Sequence, residues 1–343
     1  VDTRQGLKRD KTKGPTNMKD SLTRREILAG GTAAGVVAMT TGCTTLAKSD
    51  ATALPNSNRR KVLTIAHLTD IHVQPERNAQ AGMAMALHHA QSHPAKPDLI
   101  MIGGDCIMDA LNQNRDRVAA QWKIWEETMR NECSLPVTNC IGNHDVWGWN
   151  KGASKTTGDE PEYGKAWAMQ ALGLDRRYYS YDQAGWHFIV LDSTHSDGGS
   201  SYTAKLDEEQ FAWLEADLKA TPASTPVLIL SHIPIFAACP YFDGDNEKSG
   251  NWVVPGAWMH IDARRLKDLF NRHPNVKTSL SGHIHLVDRV DYLGVKYFCN
   301  GAVCAGWWGG PYQEFYNGYG LVELFDDGSV ENEFVRFDWT VSG

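Results

Sequence analysis

Six apolar runs between residues 62 and 282 of this 343-residue chain stop on polar residues, and five of the six stop on side chains that bind metals. VLTIAHLTDIH ends in Asp70 and His72, and DLIMIGGDC in Asp105. PVTNCIGNHD ends in Asn143, His144 and Asp145, VLILSHIP in His232, and VKTSLSGHIH in His283 and His285. Carboxylate, imidazole and amide groups collected in this way are donors for divalent cations. Taken alone, Gly142-Asn143-His144-Asp145 reads as a polar turn, because Gly, Asn and Asp are turn formers. Five such endings are hard to explain as turns, whereas one ligand-binding edge explains them together.

That edge needs strands to build it. Between the apolar runs lie amphipathic stretches, AGMAMALHHAQ, RVAAQWKIWEETMR, LDEEQFAWLEADLKA and ARRLKDLFNRH. Strands alternating with helices predict an α/β layered fold whose central strands are buried on both faces. In such an open sheet the strand C-termini share an edge, and ligands bind there. In the third stretch, Leu206, Phe211, Leu214 and Leu218 fall close to one face and acids occupy the first turn, so this face belongs to the core. His67 lies inside a strand and reads as core; His187 and His260 have no case beyond surface or packing roles.

The five blocks DIH, GGD, GNHD, the lone His232 and GHIH, in that order, resemble the calcineurin-like metallophosphoesterase superfamily over about residues 62 to 290. The resemblance implies an α/β four-layer fold, a two-sheet β-sandwich flanked by helices. KYFCNGAV, YGLVELF and ENEFVRF would supply strands of the second sheet. Residues 61–343 would then be one catalytic domain. Block by block, the resemblance implies two divalent metals. Asp70, His72 and His285 hold the first, Asn143, His232 and His283 the second, and Asp105 bridges them. Imidazole and carboxylate donors suit Zn, Fe or Mn better than Ca. Two divalent ions against two carboxylates and a bridging hydroxide leave about one net positive charge to attract a phosphate oxyanion. Metal coordination brings the pKa of water to roughly 7, so a metal-bridging hydroxide would attack phosphorus and no Ser or Cys nucleophile is needed. The resemblance makes His144 the leaving-group acid or a clamp on the phosphoryl oxygens. Asp145 either orients His144 or caps the following segment.

Departures narrow the subfamily. Met108 stands where purple acid phosphatases carry a Tyr ligand, and GNHD replaces the GNHE of Ser/Thr protein phosphatases. The short blocks are most similar to those of bacterial phosphodiesterases of the cyclic-nucleotide type, but they contact metal and phosphate only. The alcohol must be read by the long aromatic segments after GNHD, after His232 and around residues 301–320. His195, Trp147, Trp307 and Trp308 are the substrate-contact candidates. The expected reaction is phosphodiester hydrolysis. The alternatives are a phosphomonoesterase, a nuclease, and a metal-binding scaffold that has lost catalysis, although such scaffolds usually lose ligands and all seven positions are filled here.

The remaining composition sets limits. A formal charge of −7 and a pI near 6.0, with Lys and Arg scattered, argue against a nucleic-acid surface. Seven Cys are too few for a disulfide scaffold. Cys133 with Cys140, or Cys299 with Cys304, are the pairs the sequence offers for bonding after export. Residues 1–43 read as a targeting segment, with 1–17 ahead of Met18 upstream of the natural start. Arg24-Arg25, then an apolar run from Ile27 to Met39 too short to span a membrane, resembles a twin-arginine export signal. TTGC at 40–43 resembles a lipoprotein site, with Thr40 where Leu is usual, so Cys43 either carries a lipid or does not. Residues 44–60 read as a solvated tether. Export to the periplasm or the cell envelope is the expectation.

Overall fold

The computed structural model describes residues 58–339, so the targeting segment, most of the tether and Cys43 lie outside the described residues. Among the described residues thirteen strands are present: β1 Lys61–Leu68, β2 Leu99–Ile102, β3 Val137–Asn139, β4 Tyr179–Gln183, β5 Trp186–Leu191, β6 Thr194–Ser196, β7 Tyr202–Ala204, β8 Val227–Ser231, β9 Val276–Ser281, β10 Val287–Tyr292, β11 Val295–Asn300, β12 Gly318–Phe325 and β13 Val330–Arg336. The helices are α1 Ala79–Gln91, α2 Arg115–Glu132, α3 Lys151–Ser154, α4 Ala166–Ala171, α5 Glu208–Ala220 and α6 Ala263–Arg272.

The six apolar runs do not form one sheet. They divide three and three: β1, β2 and β3 lie in a five-stranded sheet of order β13-β12-β1-β2-β3, and β5, β8 and β9 in a six-stranded sheet of order β10-β11-β9-β8-β5-β4. Of the three C-terminal runs expected in the second sheet, only KYFCNGAV lies there. β12 and β13 extend the first sheet antiparallel to β1, and β11 joins β9 in parallel in the second. The pleat explains the arrangement. Successive side chains on a strand point to opposite faces, so Leu63 and Ile65 of β1 meet Phe188 of β5, Leu228 and Leu230 of β8 and Leu280 of β9 between the sheets. Ala66 and Leu68 turn the other way and pack with Met83 and Leu87 of α1 and with Val118, Trp122 and Trp125 of α2. On the far side, Ile189, Val227 and Ile229 pack with α5 and α6 through Phe211, Leu214, Leu266 and Phe270. The result is the expected helix–sheet–sheet–helix order.

Local signals hold the helices where the strands need them. Asn114 caps α2 by accepting the Arg117 N–H at 3.0 Å, and Asp207 caps α5 by accepting the Gln210 N–H at 2.8 Å. Glu208 and Glu209 in the first turn of α5 complement its dipole. Leu206, Phe211, Leu214 and Leu218 are all buried, as their spacing predicted. His67 is buried between the sheets, where Asn300 Nδ2 donates to its Nδ1 at 3.0 Å.

The cysteine pairings offered by the sequence are not formed. Cys133 packs on the helix side of the first sheet and Cys140 on the inter-sheet side, so the sheet separates them. Cys304 and Cys299 likewise belong to different apolar clusters. All described cysteines are free thiols.

Candidate functional site

The two sheets bring the ends of β1, β2 and β3 against the ends of β8 and β9, so ligand-bearing turns converge from two edges. Close backbone approach makes this possible. A Cβ at Gly142 would fall 2.1 Å from Asp105 Oδ1, and one at Gly282 would fall 2.1 Å from Asp70 Oδ2, so the glycines of GNHD and GHIH make room for the carboxylates. Asp70, His72, Asp105, His283 and His285 all have positive φ, between 47° and 70°. Left-handed backbone at five non-glycine residues is costly, and such conformations cluster at functional sites.

On one side, Oδ2 of Asp70 accepts from the Thr69 hydroxyl at 2.6 Å and from the His283 N–H at 2.8 Å. Its Oδ1 is buried and unpartnered, 3.4 Å from His285 Nε2 and 3.9 Å from His72 Nε2. The two imidazoles are oriented from behind. His285 Nδ1–H donates to the Ala305 carbonyl at 2.6 Å, and His72 Nδ1–H lies 3.4 Å from the Met108 carbonyl. Their Nε2 atoms therefore face each other at 3.2 Å.

The other side repeats the pattern. His232 Nδ1–H donates to the Gly103 carbonyl at 2.8 Å, which turns its Nε2 toward Asn143 Oδ1 at 3.1 Å and Asp105 Oδ2 at 3.2 Å. His283 is reversed: its Nε2–H donates to the Ala257 carbonyl at 3.0 Å, leaving Nδ1 buried and unpartnered. Asp105 stands between the two groups. Its Oδ2 is 3.6 Å from His72 Nε2 and 3.2 Å from His232 Nε2, while its Oδ1 accepts the His144 N–H at 2.8 Å.

This is a collection of acceptors facing acceptors. The ion pairs of Asp70 and Asp105 involve only histidines, with no Lys or Arg among the described residues. Buried carboxylates need a compensating charge, and divalent cations supply what the donor set lacks. The residues fit two such sites. His72, Asp105 and His144 offer donor atoms within 4.8 Å of one another, as do Asp105, His232 and His283, so Asp105 is common to both. The protonation states of His72 and His283 agree, whereas His232 and His285 have raised pKa values and hold a proton that a cation must displace. Burial lowers the pKa of His72 and of His283 to about 3, keeping them in the neutral, metal-binding form. Burial also opposes ionisation of Asp70, but His285 beside it and the other neighbouring imidazoles hold its pKa down to about 2. Burial opposes charge on His232 as well, yet the Asp105 carboxylate beside it raises its pKa to about 9.

Above these groups lies a cavity of about 230 Å³ with Asp105, His144, His283 and His285 in its floor. Tyr202, Trp258, Trp307 and Tyr312 form its walls, with Asp243 beside Tyr312. No Lys or Arg among the described residues lines it. Trp307 lies 4.7 Å from His285 and 5.3 Å from Tyr312, ring centre to ring centre. Asp243 accepts the Tyr312 hydroxyl at 2.6 Å. His144 Nδ1–H donates to the Met108 carbonyl at 2.7 Å, leaving Nε2 as the nitrogen available to a substrate.

Several expectations need correction. Asp145 neither orients the His144 ring nor caps a helix. It is buried, accepts from Cys106 N at 2.8 Å and Ile107 N at 3.3 Å through one oxygen, and from Gly142 N at 2.9 Å through the other. It ties the Asp105 turn to the Asn143 turn, and the orienting group for His144 is the Met108 carbonyl. Trp147 and Trp308 are core residues, not substrate contacts. Trp147 is buried, donates to the Gln113 carbonyl at 3.0 Å and packs edge-on against Trp167. Trp308 is buried, donates to the Ile71 carbonyl at 2.8 Å and packs against Trp339. His195 lies in the β6–β7 ribbon and does not line the cavity. Tyr202, Asp243 and Trp258 were missed; no motif marks them, and only Asp243 and Trp258 lie in a long aromatic segment, the one after His232.

The sequence pattern of the calcineurin-like phosphoesterase family matches residues 63–287. A 3',5'-cyclic-nucleotide phosphodiesterase from Nostoc sp. (strain PCC 7120) is 22% identical over 303 residues, which is 83% of this chain and 96% of that protein. The 3',5'-cyclic adenosine monophosphate phosphodiesterase CpdA of Escherichia coli K12 is 23% identical over 285 residues, 79% of this chain and 89% of that protein. Among solved structures, a dimetal phosphatase from Danio rerio shares the fold, with a TM-score of 0.56, 15% identity and coverage of 81% of this chain and all of that one. The chain belongs to the calcineurin-like phosphoesterase family and is a metal-dependent phosphoester hydrolase.

Proposed function

We propose that the chain hydrolyses a small phosphodiester at two divalent metal ions that share Asp105. The observation that carries this reading is that His72 and His232, arriving from the two sheets, both stand against the Asp105 carboxylate. Asp70, His72 and His285 would hold one ion, Asn143, His232 and His283 the other, with Mn, Fe or Zn suited to the donors. Ions so held supply Lewis-acid stabilisation of phosphoryl charge and an activated water. The chain's own groups do the rest. Its back-bonded imidazoles keep their lone pairs aimed inward, and the buried floor excludes bulk water. His144, fixed through Nδ1, presents Nε2 to the phosphoryl group and can deliver a proton to the departing alkoxide.

Cavity charge favours a diester over a monoester. A monoester brings close to two negative charges, and among the described residues the walls offer no Lys or Arg beyond the metals to meet the second. Trp307, Trp258, Tyr202 and Tyr312 give the alcohol a largely aromatic surface, which suits a small organic group. The acidic balance of the chain counts against a nuclease. Bis(p-nitrophenyl) phosphate, p-nitrophenyl phosphate, cyclic AMP and plasmid DNA, assayed side by side with added Mn, Zn or Fe, test the proposal. Metal-dependent diester cleavage is expected; faster monoester turnover would move the function to a phosphatase. Export by the Arg24-Arg25 signal, with or without lipid on Cys43, belongs to the same proposal and is tested by fractionating cells that express the full chain.

A further inference from the structure

Cys239 and Cys299 come from segments sixty residues apart and stand together under the active-site loops. Cys299, in β11, is the cross-strand partner of Asp288 in β10, so their side chains share one face of the sheet. Asp288 Oδ2 accepts the backbone N–H groups of Ala238 and Cys239, both at 2.6 Å. Cys239 is thus pinned over the face from which the Cys299 side chain rises. Both thiols are buried in a small apolar cluster with Ala237, Ile284 and Leu286, which contains no other cysteine. The Cys299 thiol beside it and burial both push the Cys239 thiol pKa up.

We propose that Cys239 and Cys299 are a disulfide-forming pair that fastens the segment from Cys239 to His260 to the sheet beneath the active site. This segment carries Asp243 and Trp258 to the cavity and the Ala257 carbonyl to His283. Beyond the 3-10 turn at Cys239–Phe242 it has no regular structure before α6, and Phe242, Trp252 and Val253 are exposed. A bond at its root limits how far it can open. The oxidant is a small-molecule or protein disulfide. One thiolate attacks it and expels a thiol, and the second thiolate then attacks the mixed disulfide and expels the other. Two electrons pass to the oxidant, and the two protons leave with the released thiols. The buried thiols react when the segment opens, because the thiolate is the attacking form.

The full-length protein, incubated with oxidised glutathione, acid-quenched and alkylated in denaturant, tests the pairing by mass spectrometry. A Cys239–Cys299 cross-linked peptide is expected, with five of the seven cysteines alkylated. Reductant should then lower the wild-type melting temperature by about 5–10 °C and leave Cys239→Ser unmoved. Cys299→Ser gives the same comparison if the first variant folds poorly. Alkylation of all seven cysteines, a bridge between another pair, or a reductant effect in either serine variant as large as in the wild type would overturn the proposal. None of these readouts depends on hydrolysis, so the pairing stands or falls separately from the phosphodiesterase reading.

Discussion

Asp105 Oδ2 lies 3.2 Å from His232 Nε2, and the same oxygen is 3.6 Å from His72 Nε2. One carboxylate oxygen thus serves imidazoles that arrive from opposite sheets, His72 after β1 and His232 after β8. On the proposed two-metal reading the relationship joins fold to function, since the distance between the two metal positions would be set by how the sheets pack. It also separates residues that hold the metals from residues that act on the substrate.

The proposed function puts His144 in the second kind. His144→Ala should keep both metals and lose about 10²–10⁴ in kcat, the usual worth of an acid–base group. Steady-state turnover with metal content measured on the same sample checks this. Unchanged turnover would remove His144 from the chemistry.

Asp145 behaves differently. Three backbone N–H groups end on its carboxylate, so Asp145→Ala leaves buried donors unpaired and should cost about 2–4 kcal/mol of stability. Metal affinity should fall with it, because the tied turns carry Asp105 and Asn143. Denaturant unfolding and metal titration of the variant read both effects. A variant of normal stability that lost only turnover would restore the role of orienting His144.

The tryptophans divide in the same way. Trp307→Ala should raise KM about tenfold for a phosphodiester with an aromatic alcohol, with little change in metal content. Trp147→Ala should cost about 3–5 kcal/mol of stability, the usual loss for emptying a large aromatic site. Kinetics and unfolding on the two variants together make the comparison. The reverse pattern would mean that the cavity walls are misassigned.

The same positions show how far the sequence could be read. Ligand types at strand ends were legible because GGD, GNHD and GHIH are short: a glycine must leave room for a carboxylate that approaches within van der Waals contact. The division of the strands between two sheets was not. A run buried on both faces is apolar throughout and carries no period to say which neighbour it meets. Asp145 looked like an orienting group because it follows His144, but adjacent residues point apart, and its oxygens run back along the chain to Cys106 and Gly142. Trp307 and Trp308 are consecutive and both have positive φ, 51° and 65°; one faces the cavity and the other the core. Residue type alone could not choose between them. Tyr202, Asp243 and Trp258 reach the site through loop geometry that no periodicity encodes.

Far from the cavity, His187 offers a pH test of the fold. Its Nδ1 lies 2.6 Å from Asp182 Oδ1 and its Nε2 2.8 Å from Asp217 Oδ2. The Asp217 hydrogen bond outweighs burial, and with Asp182 it raises the His187 pKa above the ordinary value. The folded state therefore binds the proton more tightly than the unfolded chain. Its stabilising share is complete below about pH 6.5, the unfolded value, and is lost as pH rises through the folded pKa. His187→Gln should destabilise more at about pH 5.5 than at about pH 9 in denaturant unfolding. An effect that grew with pH would contradict the sign.

The most direct test of the central claim is metal content by elemental analysis in the wild type and in Asp105→Asn, each stripped and reloaded under the same conditions. A shared carboxylate predicts close to two ions per wild-type chain, and in the variant a fall to one or fewer with loss of diester hydrolysis. Two full ions in Asp105→Asn, or one at most in the wild type, would contradict a centre built on Asp105.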